Sequence, residues 1–557
     1  MAWYDEARFY HIYPLGLLDA PKQNDYSEPV HRLKKLEPWI EHVKNIGCNA
    51  IYIGPLFESV GHGYETTDYK KLDSRLGDNK DLKEFVDKCH SKDIKVIFDG
   101  VFNHTGRDFF AFKDIQKNKH NSQYLDWYCN VNFNSNTEYN DGFSYDNWGG
   151  YNLLVKLNQR NQKVKDYIAE VIRFWVDEFD VDGIRLDAAD VLDFDFMKSL
   201  RAVANEVKPD FWLMGEVIHG DYDKWVNQET LHSVTNYQLH KALYSGHNDH
   251  NYYEIAHTVK RLYQMGGNRP DGLKLYNFTD NHDVERIYTK LVNKEHFIPT
   301  HILMYTLPGV PSLYYGSEFG IDGKKEQGSD DSLRPALNIE DYKDAVTTNK
   351  FTNVIAKLGE VRSKVPALSY GYFNELVLTN RQYVFSRTLD ETSVIVAVNN
   401  DDHNYGVGVA ASNVSEYIGA ISGERIPVQN GHIYINIQPN SGDVWVPNID
   451  SSFTMKTKEC QKVQIEEKKV EENVVVPQVC EEVNVEIKEE KETISNIEIK
   501  KEEVVQYDES FEKGRIAGLQ EAVLARMEKN GYVTEQMKKD VYNQTHIPSL
   551  INWIKSF

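Results

Sequence analysis

The sequence predicts an α/β fold in which eight strand–helix units close into a (β/α)8 TIM barrel. Short apolar runs alternate with amphipathic stretches through residues 1–104 and 163–366, and this alternation is typical of parallel strands joined by crossover helices. Eight of the runs have strand character, which is the number that closes a barrel. Four of them end in polar clusters, and the carboxyl ends of barrel strands carry active sites.

The candidate strands are short apolar runs spread along the barrel segments. In chain order they are Phe9–Leu15, Ala50–Leu56, Lys95–Phe102, Gly183–Ala188, Trp212–Val217, His232–Tyr237, Leu273–Asp280 and Val310–Tyr315. The clearest helical pattern between them is Val164–Phe179, where apolar residues recur at helical spacing. A doubly wound open sheet is the structural alternative, because periodicity alone does not distinguish it from a barrel.

The rest of the chain divides into four further segments. Residues 105–162 follow the third strand and are rich in Asn, Asp, Tyr, Gly and Trp, which predicts an inserted subdomain. Residues 367–449 contain strand-like runs between turns, which predicts an antiparallel β domain. Residues 450–509 form a low-complexity charged tract, for which we expect a flexible acidic linker. Residues 510–557 predict a small helical module, either a self-packed bundle or a docking site for a protein partner.

Bulk composition limits the partners and the compartment. The formal net charge of −22 makes nucleic acids and anionic membranes unfavourable partners. The sequence shows no apolar run long enough to span a bilayer and no export signal, so we expect a cytoplasmic protein. The five cysteines are scattered without a Cys-x-x-Cys pair, which favours free thiols over a disulfide framework or a zinc site.

Polar clusters mark four of the candidate strands. They are Asp99–His104 at the third strand, Asp182–Asp187 at the fourth, Gly215–Glu216 at the fifth and Phe278–Asp283 at the seventh. A single Asp in such a place is as often a cap or loop residue. Four clusters favour an active site, because the strand ends of a barrel meet at one face.

The acidic residues suit the cleavage of a glycosidic bond. One carboxyl group must protonate the leaving oxygen, and a second must attack the anomeric carbon. Arg185 lies two residues before Asp187 on the same face of the strand, so we expect it to keep the pKa of Asp187 low and the carboxylate ionised. Glu216 ends the apolar run Phe211–Gly215, and burial there would raise its pKa, as the acid requires.

These segments resemble those of the α-amylase family, glycoside hydrolase family thirteen, in type and in order over roughly residues 1–450. The matching stretches are DGVFNH at 99–104, GIRLD at 183–187, GE at 215–216 and FTDNHD at 278–283. The resemblance implies a retaining enzyme in which Asp187 is the nucleophile, Glu216 the general acid/base and Asp283 the stabiliser of the transition state.

The substrate-binding residues come partly from the resemblance. His62 and Tyr64 look like the pair after the second strand that contacts the sugar being cleaved, and Asp330 and Arg334 match an Asp-x-x-x-Arg pair after the eighth strand. The strand-end histidines can bond sugar hydroxyls, although a lone His is more often structural. The full predicted set is His62, Tyr64, His104, Arg185, His282, Asp330 and Arg334.

Two further stretches refine the resemblance. Leu154–Asn158 is similar to the MPKLN segment of cyclomaltodextrinases, neopullulanases and maltogenic amylases, with departures at Leu154 and Val155. Val191 stands where secreted α-amylases often have a calcium-ligating His, so we expect no required cofactor. Two roles stay open for Asn103, which matches a family calcium ligand: it binds calcium, or it fixes the loop by hydrogen bonds.

The resemblance therefore implies hydrolysis of α-1,4-glucosidic bonds in maltodextrins and cyclodextrins, with an α-glucan oligosaccharide as substrate. A general α-amylase acting on starch or glycogen, or an α-glucan transglycosylase, is the alternative among enzymes. A non-catalytic scaffold with an amylase fold is disfavoured, because all three catalytic positions are filled. A glucan-binding adaptor acting through the C-terminal module would keep its binding after loss of catalysis.

Overall fold

The computed structural model describes residues 2–266 and 272–448. The predicted linker at 450–509 and the helical module at 510–557 lie outside these residues, as do Cys460 and Cys480. Cys48, Cys89 and Cys129 are free thiols. Within the described ranges, no helix combines the length and the apolar character needed to cross a membrane.

Eight parallel strands form the centre of the fold. They are β1 (Phe9–Ile12), β2 (Ala50–Ile53), β3 (Lys95–Gly100), β4 (Gly183–Leu186), β5 (Trp212–Gly215), β6 (Ser233–Val234), β7 (Tyr276–Phe278) and β8 (Val310–Tyr314). Their hydrogen-bonded order is β6-β5-β4-β3-β2-β1-β8-β7. A parallel bridge between Thr235 and Tyr276 joins the two outer strands. The predicted barrel is therefore confirmed over the open sheet, with strands shorter than the sequence runs.

Two apolar layers follow from the alternation of side chains along each strand. Phe9 and Trp212 lie in the cluster inside the barrel, and their rings stack with centroids 5.0 Å apart. The next residue along each strand, Tyr10 in β1 and Leu213 in β5, belongs to the larger cluster shared with the surrounding helices. Each strand thus contributes to the core on both of its faces.

Helices connect and cover the strands. The helix Gln162–Phe179 contains the predicted apolar series and begins two residues earlier than the predicted pattern. Asn161 caps its first turn by accepting a hydrogen bond from Lys163 N. The other barrel helices are Pro14–Leu17, Glu37–Asn45, Asn79–Ser91, Phe194–Val207, Tyr237–Asn248, Tyr252–Met265, Ile287–Lys290, Phe297–Thr306, Ala345–Thr348, Lys350–Lys364 and Ala367–Tyr370.

The insertion after β3 has a helix and a sheet of its own, in agreement with the predicted inserted subdomain. It contains the helix Phe110–Asn118 and an antiparallel sheet of His104–Thr105, Tyr151–Lys156 and Asn147–Trp148. His104 therefore belongs both to a strand-end motif of the barrel and to the sheet of the insertion. This places the insertion directly beside the carboxyl end of the barrel.

The segment after the barrel is an antiparallel β domain, as predicted. Its larger sheet has the order Tyr372–Leu378, Gln382–Leu389, Thr392–Asn399, Ser441–Pro447, Glu416–Gly419 and Arg425–Pro427. Tyr405–Ala410 pairs with His432–Ile437 in a second sheet. An apolar cluster that includes Ile395 and Trp445 from the first sheet and Ile433 from the second fills the core between them.

Asp182 lies at the amino end of β4, opposite to the end that carries the other motif residues. Placing it in a strand-end active-site cluster was therefore wrong. Its buried carboxylate accepts hydrogen bonds from His90 Nε2 at 2.7 Å, Lys95 Nζ and Lys208 Nζ at 2.9 Å each, and Val96 N at 3.0 Å. Burial raises the pKa of Asp182, but these donors outweigh burial and hold the pKa well below its ordinary value.

We predict that Asp182→Asn lowers the free energy of unfolding by about 3 kcal/mol at pH 7, because it removes the charge that pairs with two lysines. A lowered pKa contributes stability above the unfolded-state value of about 3.9, and that stability is lost as pH falls through the folded-state value. The difference in free energy of unfolding between the wild-type protein and Asp182→Asn should therefore shrink below pH ~4. Urea titrations followed by circular dichroism measure it.

Asp180→Asn is the matched control, since Asp180 contacts the same lysine, Lys208, at 2.7 Å but is 55% exposed. We expect this control to lose less than about 1 kcal/mol. Equal losses in the two variants would contradict a special role for Asp182.

Candidate active site

The guanidinium of Arg185 lies at the centre of the carboxyl end of the barrel and contacts three carboxylates. Its side chain is 4% exposed. Nη1 lies 2.9 Å from Asp99 Oδ1 and 3.0 Å from Asp187 Oδ1, and Nη2 lies 2.9 Å from Glu216 Oε2. One cation therefore joins acidic side chains from β3, from the end of β4 and from the end of β5.

Strand register explains why these groups meet. Asp99 in β3 pairs directly with Arg185 in β4, so the two side chains emerge side by side on the same face. The ladder continues past the strand ends, where Asp187 N donates to Gly100 O and Glu216 N donates to Leu186 O. Ala188 adopts a left-handed backbone conformation with φ of 47°, and its N–H donates to Glu216 Oε2 at 3.0 Å.

Burial raises the pKa of Asp187 well above its ordinary value and also raises the pKa of Glu216. Arg185 lowers both, and neighbouring carboxylates raise both. The predicted contact between Arg185 and Asp187 is present, but the expectation that it keeps the pKa of Asp187 low was wrong, because burial outweighs the guanidinium, which also contacts Asp99 and Glu216. Two such carboxyls lose their protons in two coupled steps, and the state with one proton contains one acid and one carboxylate.

Asp283 follows β7 and is held by a second arginine. Its side chain is 34% exposed, with Oδ1 2.9 Å from Arg334 Nη2 and Oδ2 3.1 Å from His282 Nε2. Arg334 Nη2 also lies 3.3 Å from Asp330 Oδ2. The structure thus brings the predicted Asp330–Arg334 pair into direct contact with the third acidic residue of the site.

A stack of rings forms one wall of the site. The ring centroids of Tyr64 and His282 lie 5.7 Å apart with the planes 12° from parallel, and Tyr13 also stacks on His282 with centroids 5.6 Å apart. The Tyr64 hydroxyl donates to Asp99 Oδ2 at 3.1 Å and lies 2.5 Å from His282 Nε2. Burial lowers the pKa of His282 well below its ordinary value, so its imidazole is neutral.

The two remaining predicted histidines lie in different environments. His62 is half exposed at the mouth of the site, with Nε2 3.3 Å from Glu65 Oε1. His104 is buried, and both of its ring nitrogens are paired with protein groups, Nε2 with Tyr64 O and Nδ1 with Asn103 Nδ2. His104 therefore supports the Tyr64 loop directly, whereas His62 is accessible to a ligand.

A cleft of about 900 Å³ leads to the site. Its walls include Tyr13, His62, Asp330, Arg334 and, from the insertion, Tyr151. The three predicted catalytic residues do not line it. The cleft is connected to the catalytic residues through Arg334, a wall residue that contacts Asp283. The volume falls within the range of about 300–1,000 Å³ that is usual for ligand sites.

Several residues of the site were not assigned from the sequence. Asp99 lies within the motif DGVFNH at 99–104, and its place in that motif was the available signal. Tyr13 directly follows β1 in the structure, but it lies inside the predicted strand Phe9–Leu15, so its position did not mark it. The Tyr237 hydroxyl, 3.5 Å from Glu216 Oε1, accepts a hydrogen bond from Asn281 Nδ2 at 3.1 Å, and no sequence pattern links these loops.

The side chain of Asn103 is bonded to the insertion. Its carbonyl Oδ1 accepts a hydrogen bond from Gln159 Nε2 at 3.1 Å. Val191 offers no ligand atom and is 45% exposed. Among the described residues, the single cluster of three His, Cys, Asp or Glu side chains spaced for a metal is His31, Asp78 and Asp81.

A closed (β/α)8 barrel with paired buried carboxyl groups at its carboxyl end is an arrangement suited to an enzyme that cleaves glycosidic bonds by acid–base chemistry. The α-amylase catalytic-domain family model matches residues 33–359. The chain belongs to the α-amylase family of glycosidases and is an α-glucan hydrolase.

Individual relatives are consistent with this family. A cyclomaltodextrinase from Bacillus sp. is 30% identical over 424 residues, which are 72% of this chain and 74% of that protein. An intracellular maltogenic amylase from Bacillus subtilis is 29% identical over 364 residues, covering 65% and 60% of the two chains. A solved structure of a cyclomaltodextrinase superposes with a TM-score of 0.69 at 26% identity, over 80% of this chain and 78% of that one.

We predict that Arg185→Lys lowers kcat by about a hundredfold or more, because an ammonium group cannot contact three carboxylates in a fixed plane. Arg173→Lys is the control, since Arg173 forms a similar two-point contact with Glu206 on an exposed helix. Steady-state hydrolysis of maltoheptaose measures the effect. An Arg185→Lys enzyme as active as the control would contradict the role given to Arg185.

Proposed function

We propose that this chain is a retaining glycosidase that hydrolyses α-1,4-glucosidic bonds in maltodextrins and cyclodextrins. The observation that carries the proposal is the contact of one buried guanidinium, that of Arg185, with both Asp187 and Glu216. It holds two carboxyl groups from adjacent strand ends around one centre. A retaining mechanism needs such a close pair, one as nucleophile and one as acid.

The first chemical step requires the singly protonated state of the pair in which Glu216 holds the proton and Asp187 is ionised beside Arg185. Asp187 attacks the anomeric carbon while Glu216 transfers its proton to the leaving oxygen, so that the glycosidic bond breaks and a glycosyl ester of Asp187 forms. In the second step Glu216 takes a proton from water, and the oxygen of that water displaces Asp187. Roles follow the family motifs, in which GIRLD carries the nucleophile and GE carries the acid.

Asp283 complements this pair. The transition state has oxocarbenium-ion character, and an ionised carboxylate near the ring stabilises its positive charge. Arg334 and His282 fix the two oxygens of Asp283, and the neutral His282 adds no competing charge. The ring of Tyr64, stacked on His282, provides an apolar wall for the sugar being cleaved.

The choice of short or cyclic substrates is supported by the names of the relatives. The matched cyclomaltodextrinase and maltogenic amylase act, by their names, on cyclic maltodextrins and in maltose formation. The name of the Bacillus subtilis relative also supports our proposal of a cytoplasmic location. We further propose that turnover needs no metal cofactor, because Gln159 Nε2 donates to Asn103 Oδ1 and the side chain of Val191 offers no ligand atom. A partner for residues 510–557 stays a prediction.

We predict that β-cyclodextrin and maltoheptaose are cleaved faster than soluble starch, because the proposed substrates are compact oligosaccharides. Initial rates of reducing-end release, measured for equal masses of these substrates and pullulan, test this order. Asp187→Asn enzyme prepared in parallel is the control for contaminating amylase.

If starch is cleaved about tenfold faster than both oligosaccharides, the enzyme stabilises the transition state for starch by about 1.4 kcal/mol more. That result would make a general α-amylase the better description. If maltoheptaose gives mainly longer oligosaccharides, an acceptor sugar outcompetes water, and the enzyme is a transglycosylase.

A further inference from the structure

We propose that a chain of four hydrogen bonds centred on Gln159 joins the insertion to the loop after Asp187, fixes the orientation of His104 and fills the place of a metal ion. This Gln159 chain runs through Asp193, Gln159, Asn103, His104 and Tyr64. Its effect on turnover rests on the proposed function, whereas its effect on stability does not.

The bonds of the Gln159 chain all point in one direction. Asp193 N donates to Gln159 Oε1 at 2.6 Å, and Gln159 Nε2 donates to Asn103 Oδ1 at 3.1 Å. Asn103 Nδ2 then donates to His104 Nδ1, and His104 Nε2 donates to Tyr64 O, each at 3.2 Å. The first donor and the last acceptor are backbone groups with fixed roles. These roles set the orientation of each amide and place the proton of His104 on Nε2.

Burial makes these bonds consequential. Gln159 is 5% exposed, Asn103 0% and His104 1%, so a broken link would leave polar groups without water as a substitute partner. Burial also lowers the pKa of His104 to about 4. The imidazole is therefore neutral near pH 7, as its role of accepting at Nδ1 requires.

The ends of the Gln159 chain lie in loops that form the active site. Asp193 ends the loop that begins at Asp187 and caps the helix Phe194–Val207. At the other end, Tyr64 contacts Asp99 through its hydroxyl. The chain therefore links the loop that carries the proposed nucleophile with the ring that forms the sugar-binding wall. We assign Gln159 as a positioning residue, because it reaches the reacting groups only through others.

The donor set explains why a cation does not fit here. A calcium ion needs several oxygen ligands around it, but the amide of Gln159 presents an N–H group to Asn103. The amide of Gln159 joins one oxygen, Asn103 Oδ1, to one backbone N–H, that of Asp193. The neutral side chain of Gln159 thus connects the loops that a calcium ion would connect by the family resemblance.

Gln159→Ala tests the positioning role. We expect kcat for β-cyclodextrin to fall about ten- to hundredfold with KM little changed, because displaced loops misalign the reacting groups. We expect Tm to fall by about 2–5 °C. Gln162→Ala is the matched control, since Gln162 is exposed and its amide donates to its helix neighbour Asp166. We expect neither kcat nor Tm to change in this control.

Gln159→Glu tests the claim about the ion. The substitution sets a second acceptor against Asn103 Oδ1, and a calcium ion can bridge two such oxygens. We expect kcat and Tm of this variant to be low in chelator and to recover in about 5 mM calcium. Wild-type enzyme should respond to neither reagent, and Gln159→Ala should not recover.

Three results would overturn the proposal. They are a calcium-reversible loss of Tm in wild-type enzyme treated with chelator, a Gln159→Glu enzyme indifferent to calcium, and a Gln159→Ala enzyme with wild-type kcat. If no form cleaves β-cyclodextrin, the proposed function fails, and the Tm measurements still decide the role of the Gln159 chain.

Discussion

The contact of one buried guanidinium with three carboxylates is the constraint on which the site depends. Several negative charges cannot be buried side by side without a compensating cation. Arg185 provides that cation within β4, where strand register sets Asp99 beside it. The site therefore combines a rigid positive centre with two carboxyl groups, Asp187 and Glu216, whose pKa values burial raises. A proton can be held or released there without movement of the frame.

The strand β4 carries charged groups with different roles at its two ends. At the amino end, the donors around Asp182 outweigh burial, so its pKa is lowered and the network stabilises the barrel. At the carboxyl end, burial raises the pKa of Asp187 and neighbouring carboxylates raise it further, which outweighs the lowering by Arg185. This agrees with the general division of barrels into a stabilising face and a catalytic face.

The sequence predicted those features that depend on local pattern. Apolar runs predicted all eight strands, and strand ends in a barrel must converge, so the acidic clusters could be placed at one site. Features that depend on packing between distant loops were missed. Tyr13 and Gln159 carry no distinguishing local pattern, and their partners lie on other loops. The pKa of Asp187 was misjudged because the direction of its shift depends on burial and on how many acids share Arg185, which adjacent residues do not reveal.

The most direct test of this account is to identify the residue that becomes covalently attached to sugar. A 5-fluoro-α-glycosyl fluoride slows hydrolysis of the glycosyl ester and lets it accumulate, and mass spectrometry of a protease digest locates the label. The account predicts one added glycosyl group on the peptide that contains Asp187 and none in Asp187→Asn. A label on Glu216 or Asp283, or turnover of the fluoride with inversion and no label, would contradict it.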